Sequence, residues 1–183
     1  MANPSSTCFI LIFSVLIFSL FLHVSASSIS TQATKELIDK ICYQTDNYAF
    51  CKQFFDSNPS TASSDIAGLT QITLESILNK DPEILRAIQE LTFKERDVII
   101  LEGLKQCREF YQGHLSNFED AFRALNSKEY HEVIRLEFDV QKEPGNCENA
   151  LNKVPGHKSP LKEKNEIMAR LSKIALVTAS LLV

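Results

Sequence analysis

The chain has no tryptophan, only 5 glycines and 6 prolines in 183 residues, and no surplus of positive charge. Scarce glycine and proline exclude a collagen-like or low-complexity chain, and 44% hydrophobic with 23% charged residues excludes a disordered one. Nineteen Lys and Arg against 23 Asp and Glu give a formal charge of −4, which lacks the footprint of a general nucleic-acid binder. Other absences remove chemistry. No His-Glu-x-x-His or other zinc spacing occurs, so neither a metal site nor a cofactor is expected. The glycines are isolated, which rules out a phosphate-cradling loop, and there is no Gly-x-Ser-x-Gly elbow. No segment alternates between hairpin turns and no repeat recurs, so neither a β-sheet nor a solenoid is expected.

Asp, Glu, Lys and Arg are also missing before Lys35. In their place runs an almost wholly apolar stretch from Phe9 to Val24, closed by Val24-Ser25-Ala26. This reads as a secretory signal peptide over residues 1–26, cleaved before Ser27. About 16 apolar residues is short for a membrane span, which takes about 20. The remaining residues, 27–183, are expected to form one domain, exported to the extracellular space or apoplast, with the vacuole as the alternative destination. Cys8 leaves with the leader, and Cys42, Cys51, Cys107 and Cys147 remain. An even set in an oxidising compartment implies two disulfides, with three pairings open. No N-glycan acceptor accompanies them, because Asn58-Pro59-Ser60 is excluded by its proline.

Helical periodicity dominates what is present. Ile100, Leu104, Cys107, Tyr111, Leu115, Phe118, Phe122 and Leu125 recur at steps of three and four, one stripe on one helix face. That helix is expected from about Lys94 to Asn126, roughly 50 Å long. Gly113 inside it costs up to about 1 kcal/mol relative to Ala. Three further segments behave alike. Asp65 to Asn79 follows a Ser64 or Asp65 cap and carries Ile66, Leu69, Ile72 and Ile77. Lys128 to Gln141 carries Tyr130, Val133, Leu136 and Val140 and stops at Pro144-Gly145. Pro160 to Leu182 carries Ile167, Leu171, Ile174, Thr178 and Leu181. Two short helices, Lys35 to Cys42 and Tyr48 to Phe55, precede the break at Asn58-Pro59-Ser60-Thr61. The fold expected is all-α: an up-and-down four-helix bundle over about residues 64–182, with an N-terminal helical hairpin over 31–57.

Candidate chemistry resolves into structure. Cys107 with His114 imitates a nucleophile and base, but an exported thiol in an even set is bridged. Glu119-Asp120 are adjacent on a helix, point about 100° apart and do not converge as an acid–base pair. The lysines of Lys158 to Lys164 are interrupted by Glu163 and read as a solvated helix start. The apolar end, Ile174 to Val183, continues the helical phase from Ile167 and reads as a buried helix rather than a lipid-anchor tail. Phe118 and Phe122 read as core rather than as the lining of a ligand cavity.

The cysteines and their neighbours carry a resemblance. Ile41-Cys42, Thr45, Tyr48 and Cys51, then Cys107 with Tyr111 and Leu115, then Lys128-Glu129-Tyr130, Cys147, Ser159-Pro160-Leu161 and the run Leu171 to Leu176 together resemble the plant invertase and pectin methylesterase inhibitor family. Within it the chain resembles the branch that contains pollen allergens described as invertase inhibitors. The resemblance implies a four-helix bundle, the pairings Cys42–Cys51 and Cys107–Cys147, and a non-enzymatic role in one-to-one inhibition of a carbohydrate-active enzyme. It departs from the family in three places. Leu136-Glu137-Phe138-Asp139 stands where small residues are common, so Phe138 and Asp139 are expected to alter helix packing. Leu151 stands where an aromatic is usual. Tyr130-His131-Glu132 stands where the best-known invertase inhibitors carry Pro-Lys-Phe.

The leading expectation is therefore a secreted inhibitor occluding the cleft of a cell-wall pectin methylesterase, with Lys128, Glu129 and Tyr130 as candidate contacts. The alternatives are an invertase inhibitor using a different contact set and a helical binding protein for a small apolar ligand. Neither nucleic acid nor, after leader cleavage, membrane is expected as a partner. Peptide mapping of the unreduced protein is expected to link Cys42 to Cys51 and Cys107 to Cys147; a peptide crossing the two pairs refutes the connectivity. The second bridge closes a loop of about 41 residues and restricts the unfolded chain by about 4 kcal/mol, so serine at both Cys107 and Cys147 lowers the melting temperature strongly.

Overall fold

A computed structural model describes residues 32–153 and 158–183. The leader, residues 1–26, lies outside them. Among the described residues the chain is helical throughout: α1 (32–42), α2 (Tyr48–Asp56), a 3-10 turn (Pro59–Ser63), α3 (Ile66–Lys94), α4 (Val98–Asn126), α5 (Tyr130–Val140), α6 (Glu143–Leu151) and α7 (Lys162–Ser180). Neighbours around the bundle are α3 and α4, α4 and α5–α6, α5–α6 and α7, and α7 and α3. The broken pair α5–α6 thus fills the third place of an up-and-down four-helix bundle, and α4 and α7 stand across a diagonal. The α1–α2 hairpin packs on one end of the bundle. Its Ile38, Ile41 and Phe55 share a small second core with Leu69 of α3 and Ile174 and Val177 of α7.

Local chemistry sets the helix starts. Asp65 accepts from the Gly68 amide at 2.9 Å, and Asp97 accepts from Ile99 at 2.8 Å and Ile100 at 3.2 Å. These side chains satisfy first-turn donors that a helix leaves open. In the hairpin, Thr45 Oγ1 donates to the Cys42 carbonyl at 2.8 Å and Asn47 caps α2 by accepting from Phe50 at 2.9 Å. The Cys42 and Cys51 sulfurs are bonded across it, and Cys107 is bonded to Cys147 across α4 and α6.

Three expectations change. The helix expected to end at Asn79 continues through Pro82 to Lys94. Proline removes one helix donor and favours an end at the preceding residue. Here Ile84 and Ile88 continue the buried face beyond it, and tertiary burial outweighs the lost bond. α5 ends at Val140, and Pro144-Gly145, expected as its stop, lies in the first turn of α6, where proline is tolerated. Phe138 and Asp139 do not alter the packing: Phe138 is 61% exposed and Asp139 faces solvent. The residue of that run that enters the core is Glu137.

Ile174, Ala175, Val177, Thr178 and Ala179 of the apolar end are buried in α7. Among the described residues, no helix is long and apolar enough to cross a membrane.

The two glycines of α4 have opposite surroundings. A Cβ at Gly103 would lie 2.8 Å from the Ala150 carbonyl oxygen, so glycine is what lets α6 approach α4 there. A Cβ at Gly113 would meet nothing within 4 Å. Gly113→Ala is therefore expected to stabilise by up to about 1 kcal/mol through helix propensity. Gly103→Ala is expected to destabilise despite the same propensity gain, because the neighbour that must shift is backbone. Urea denaturation of both variants reads the opposite signs.

Candidate functional site

The buried face of α4 carries two polar side chains in an otherwise apolar row, Tyr111 and His114. Each reaches across the diagonal to α7. Tyr111 Oη donates to Asn165 Oδ1 at 2.8 Å. Asn165 Nδ2 donates to Glu148 Oε2 of α6 at 2.8 Å, and the same oxygen accepts from Ser159 Oγ at 2.8 Å. Burial alone would raise the Glu148 carboxyl. The hydrogen bonds from Asn165, Ser159 and Asn152, with the nearby Lys162 charge, outweigh burial and hold it below the usual range. Burial pushes the Tyr111 phenol up, so it remains a donor. Ser159 also accepts from the Leu161 amide at 3.3 Å, which gives Ser159-Pro160-Leu161 a physical role in seating α7 on α6.

The second string has the residue types of a hydrolase triad. His114 Nδ1 lies 2.8 Å from Asp81 Oδ2 and Nε2 lies 2.9 Å from Ser172 Oγ. Ser172 Oγ donates to the Met168 carbonyl at 2.9 Å, so its one proton is committed and it accepts from His114 Nε2–H. A proton must also lie between Asp81 and His114 for that 2.8 Å contact to attract, which makes the pair neutral as a unit. Burial raises the Asp81 carboxyl, opposed by its hydrogen bond to His114. All three side chains are fully buried. A serine whose proton points away from the histidine, in a packed core, has neither an activated nucleophile nor room for an acyl group. The string is a strut between α3, α4 and α7. The sequence contains its parts but no local signal joins them, because Asp81 and Ser172 lie 33 and 58 residues from His114.

The outer surface is where a partner can be met. Lys128 and Glu129 lie in the turn between α4 and α5, and Tyr130 begins α5. The Lys128 amide donates to Leu125 at 3.0 Å and the Glu129 amide to Ala124 at 2.9 Å, with Lys128 at φ 60°. This is a Schellman motif with lysine in the left-handed position that usually belongs to glycine. Lys128 and Glu129 are exposed, while Tyr130 is half-buried with its ring against the main core. Next to them Arg135 bonds Glu132 at 2.6 Å and Asp139 at 3.1 Å, and Arg123 pairs with Asp120. His131 is exposed. The turn therefore offers a stiff backbone edge with an exposed lysine tip and a charge lattice beside it.

A separate open groove of about 720 Å³ runs between α2, α3 and α7, lined by Phe50, Phe54, Ile72, Ile167 and Leu171 among others. It lies outside the bundle. Phe118 is fully buried and Phe122 packs against the same core, so neither lines a ligand cavity.

The sequence profile of the family described as plant invertase/pectin methylesterase inhibitor matches residues 36–177. A pectinesterase inhibitor from Actinidia deliciosa is 26% identical over 178 residues, covering 97% of this chain and 95% of its own length. Pectinesterase inhibitor 2 from Arabidopsis thaliana is 30% identical over 113 residues, covering 62% of this chain and 64% of its own. A crystal structure of a mutant pectin methylesterase inhibitor from Arabidopsis has the same fold, with a TM-score of 0.73 at 21% identity over 80% of this chain and 97% of that one.

The strut makes a direct prediction. Ser172→Ala leaves the buried His114 Nε2–H without an acceptor and is expected to cost about 1–3 kcal/mol in denaturant unfolding. Neither the wild type nor the variant is expected to hydrolyse a chromogenic ester; turnover lost on Ser172→Ala would overturn the structural assignment.

Proposed function

The chain belongs to the plant invertase/pectin methylesterase inhibitor family, and from that premise we propose that it is a secreted inhibitor that seats one-to-one on a plant cell-wall pectin methylesterase and occludes its cleft. It is an enzyme inhibitor, not an enzyme. The observation that carries the choice of target is the near end-to-end match to a pectinesterase inhibitor. Tyr130-His131-Glu132 supports the same choice, since the Pro-Lys-Phe of the best-known invertase inhibitors is missing.

The geometry suits occlusion. Two disulfides and two buried polar strings hold the helices as a preformed surface, so docking orders little and loses little entropy. A standard interface of this kind buries about 1,600 Å² in total. We place the α4–α5 turn at its edge, with Lys128 and Glu129 reaching the enzyme and Tyr130 supporting them from the core.

Mature protein titrated against pectin methylesterases and invertases is expected to abolish pectin methylesterase activity near one equivalent. Retained activity in both classes from mildly acidic to neutral pH refutes the reading. Lys128→Gly tests the contact cleanly, because glycine suits the left-handed position and the fold is expected to be as stable or slightly more so. Tenfold weaker inhibition, about 1.4 kcal/mol, is the expected result. Unchanged inhibition removes the turn from the interface and leaves the inhibitor assignment standing. N-terminal sequencing of the exported protein is expected to begin at Ser27.

A further inference from the structure

Glu137 is fully buried, and among the described residues neither of its carboxyl oxygens has a hydrogen-bond partner. It shares the inner face of α5 with Val133, Leu136 and Val140. α5 packs on α4 and α7. The titratable groups on the buried face of α4 are Tyr111 and His114, and both are engaged, with Asn165 and with Asp81 and Ser172. The buried face of α7 has none. Charged side chains of the same stretch, Glu119, Asp120 and Arg123 on α4, Arg170 and Lys173 on α7, and Glu132, Arg135 and Asp139 on α5, are exposed or half-exposed. None compensates Glu137: burial alone pushes its carboxyl up to about 8. An ionised carboxylate here would be an unpaired charge in a packed core, which proteins avoid by keeping the proton or by opening.

α5 is the shortest bundle helix that carries no disulfide. It has 11 residues, and its N-cap Glu129 makes no side-chain cap hydrogen bond. A helix this short is marginal without its packing. Its C-terminal neighbour α6 is bonded to α4 through Cys107–Cys147, so α5 can leave the core while α6 stays.

We propose that α5 is a pH-gated element of the bundle: the protonated Glu137 seats it, and loss of that proton releases it as the medium turns from acidic towards alkaline. The sign follows from linkage. In the released helix the carboxyl titrates near its ordinary 4.5, in the seated helix near 8. Below the lower value both forms hold the proton and opening ignores pH. Between the two the opening constant rises about tenfold per pH unit, and above the upper value it levels off. The seated state is therefore fully stabilised in acid and loses that stability with rising pH. α5 begins at Tyr130, so release also withdraws support from the turn that carries Lys128. That consequence alone rests on the docking reading above.

Amide hydrogen exchange of the mature protein, corrected for intrinsic rates and followed from about pH 5 to 8.5, tests the gate without any enzyme. Protection of the α5 amides is expected to fall up to about tenfold per unit relative to the α4 core amides in the wild type, and to stay level in Glu137→Gln and Glu137→Leu. Carbon-13 NMR of the wild type is expected to show the Glu137 carboxyl titrating near 8, and it decides the matter should neither variant fold. Titration in the ordinary carboxylate range, or equal slopes in wild type and Glu137→Gln, overturns the proposal. Inhibition that stays constant while α5 opens removes the turn from the interface and leaves the gate intact.

Discussion

Placing hydroxyl and imidazole groups in a dry interior obliges the rest of the fold to supply partners. Tyr111 and His114 sit on the longest continuous buried surface of the bundle, on α4. Their partners come from α3, α6 and α7: Asp81, Glu148 through Asn165, and Ser172. Apolar side chains tolerate sliding and rotation, whereas a buried donor left unpaired costs about as much as a core cavity. The two strings therefore fix how far each helix is shifted along its neighbours and which face it turns inward. They do so across the diagonal between α4 and α7, where the backbones do not approach closely and side-chain length is what spans the gap. Among the described residues Asp81 Oδ1 has no partner, so one string is fastened by a single oxygen of its carboxylate.

Much of this architecture is legible from spacing. The stripe on α4, the hairpin, the caps at Asp65 and the burial of the apolar end follow from periodicity and turn chemistry, which act over a few residues. The misreadings have a common origin in distance. The helix expected to end at Asn79 runs on through Pro82 to a far half that buries Ile84 and Ile88, and Pro144, read locally as a stop, opens a helix that carries a disulfide. On α4 the stripe is slightly rotated: Leu115 and Phe122 are half-buried and His114 is inside. A histidine three residues after a buried tyrosine on the same face is the one local hint of the strut, and its partners come from helices remote in sequence.

The departures from the family sort differently once placed in space. Phe138 and Asp139 look disruptive in a string of letters and project into solvent. Leu151, standing for an aromatic, fills the core beside Gly103, where the α6 backbone lies close against α4. Glu137 looks ordinary for a helix and is the residue with no electrostatic accommodation. Helix periodicity explains the inversion, because a shift of one residue turns a side chain by about 100°. The candidate contacts are legible only as a short motif; the left-handed lysine that stiffens their turn is a backbone property that residue type argues against.

The bond between Cys107 and Cys147 has a topological meaning as well as a packing one. With the intervening chain it forms a covalent ring, and the second half of α4, its turn and α5 all lie within that ring. A segment inside a closed ring cannot diffuse away when it detaches. The ends of the ring stay joined at Cys107 and Cys147, the effective concentration for return is that of a tethered loop, and closing such loops takes well under a millisecond. Exposure of Val133, Leu136 and Val140 is therefore brief at each opening, which limits the time for contact between chains. Reduction of this bridge would cut the ring and turn a reversible local excursion into a route to wider unfolding.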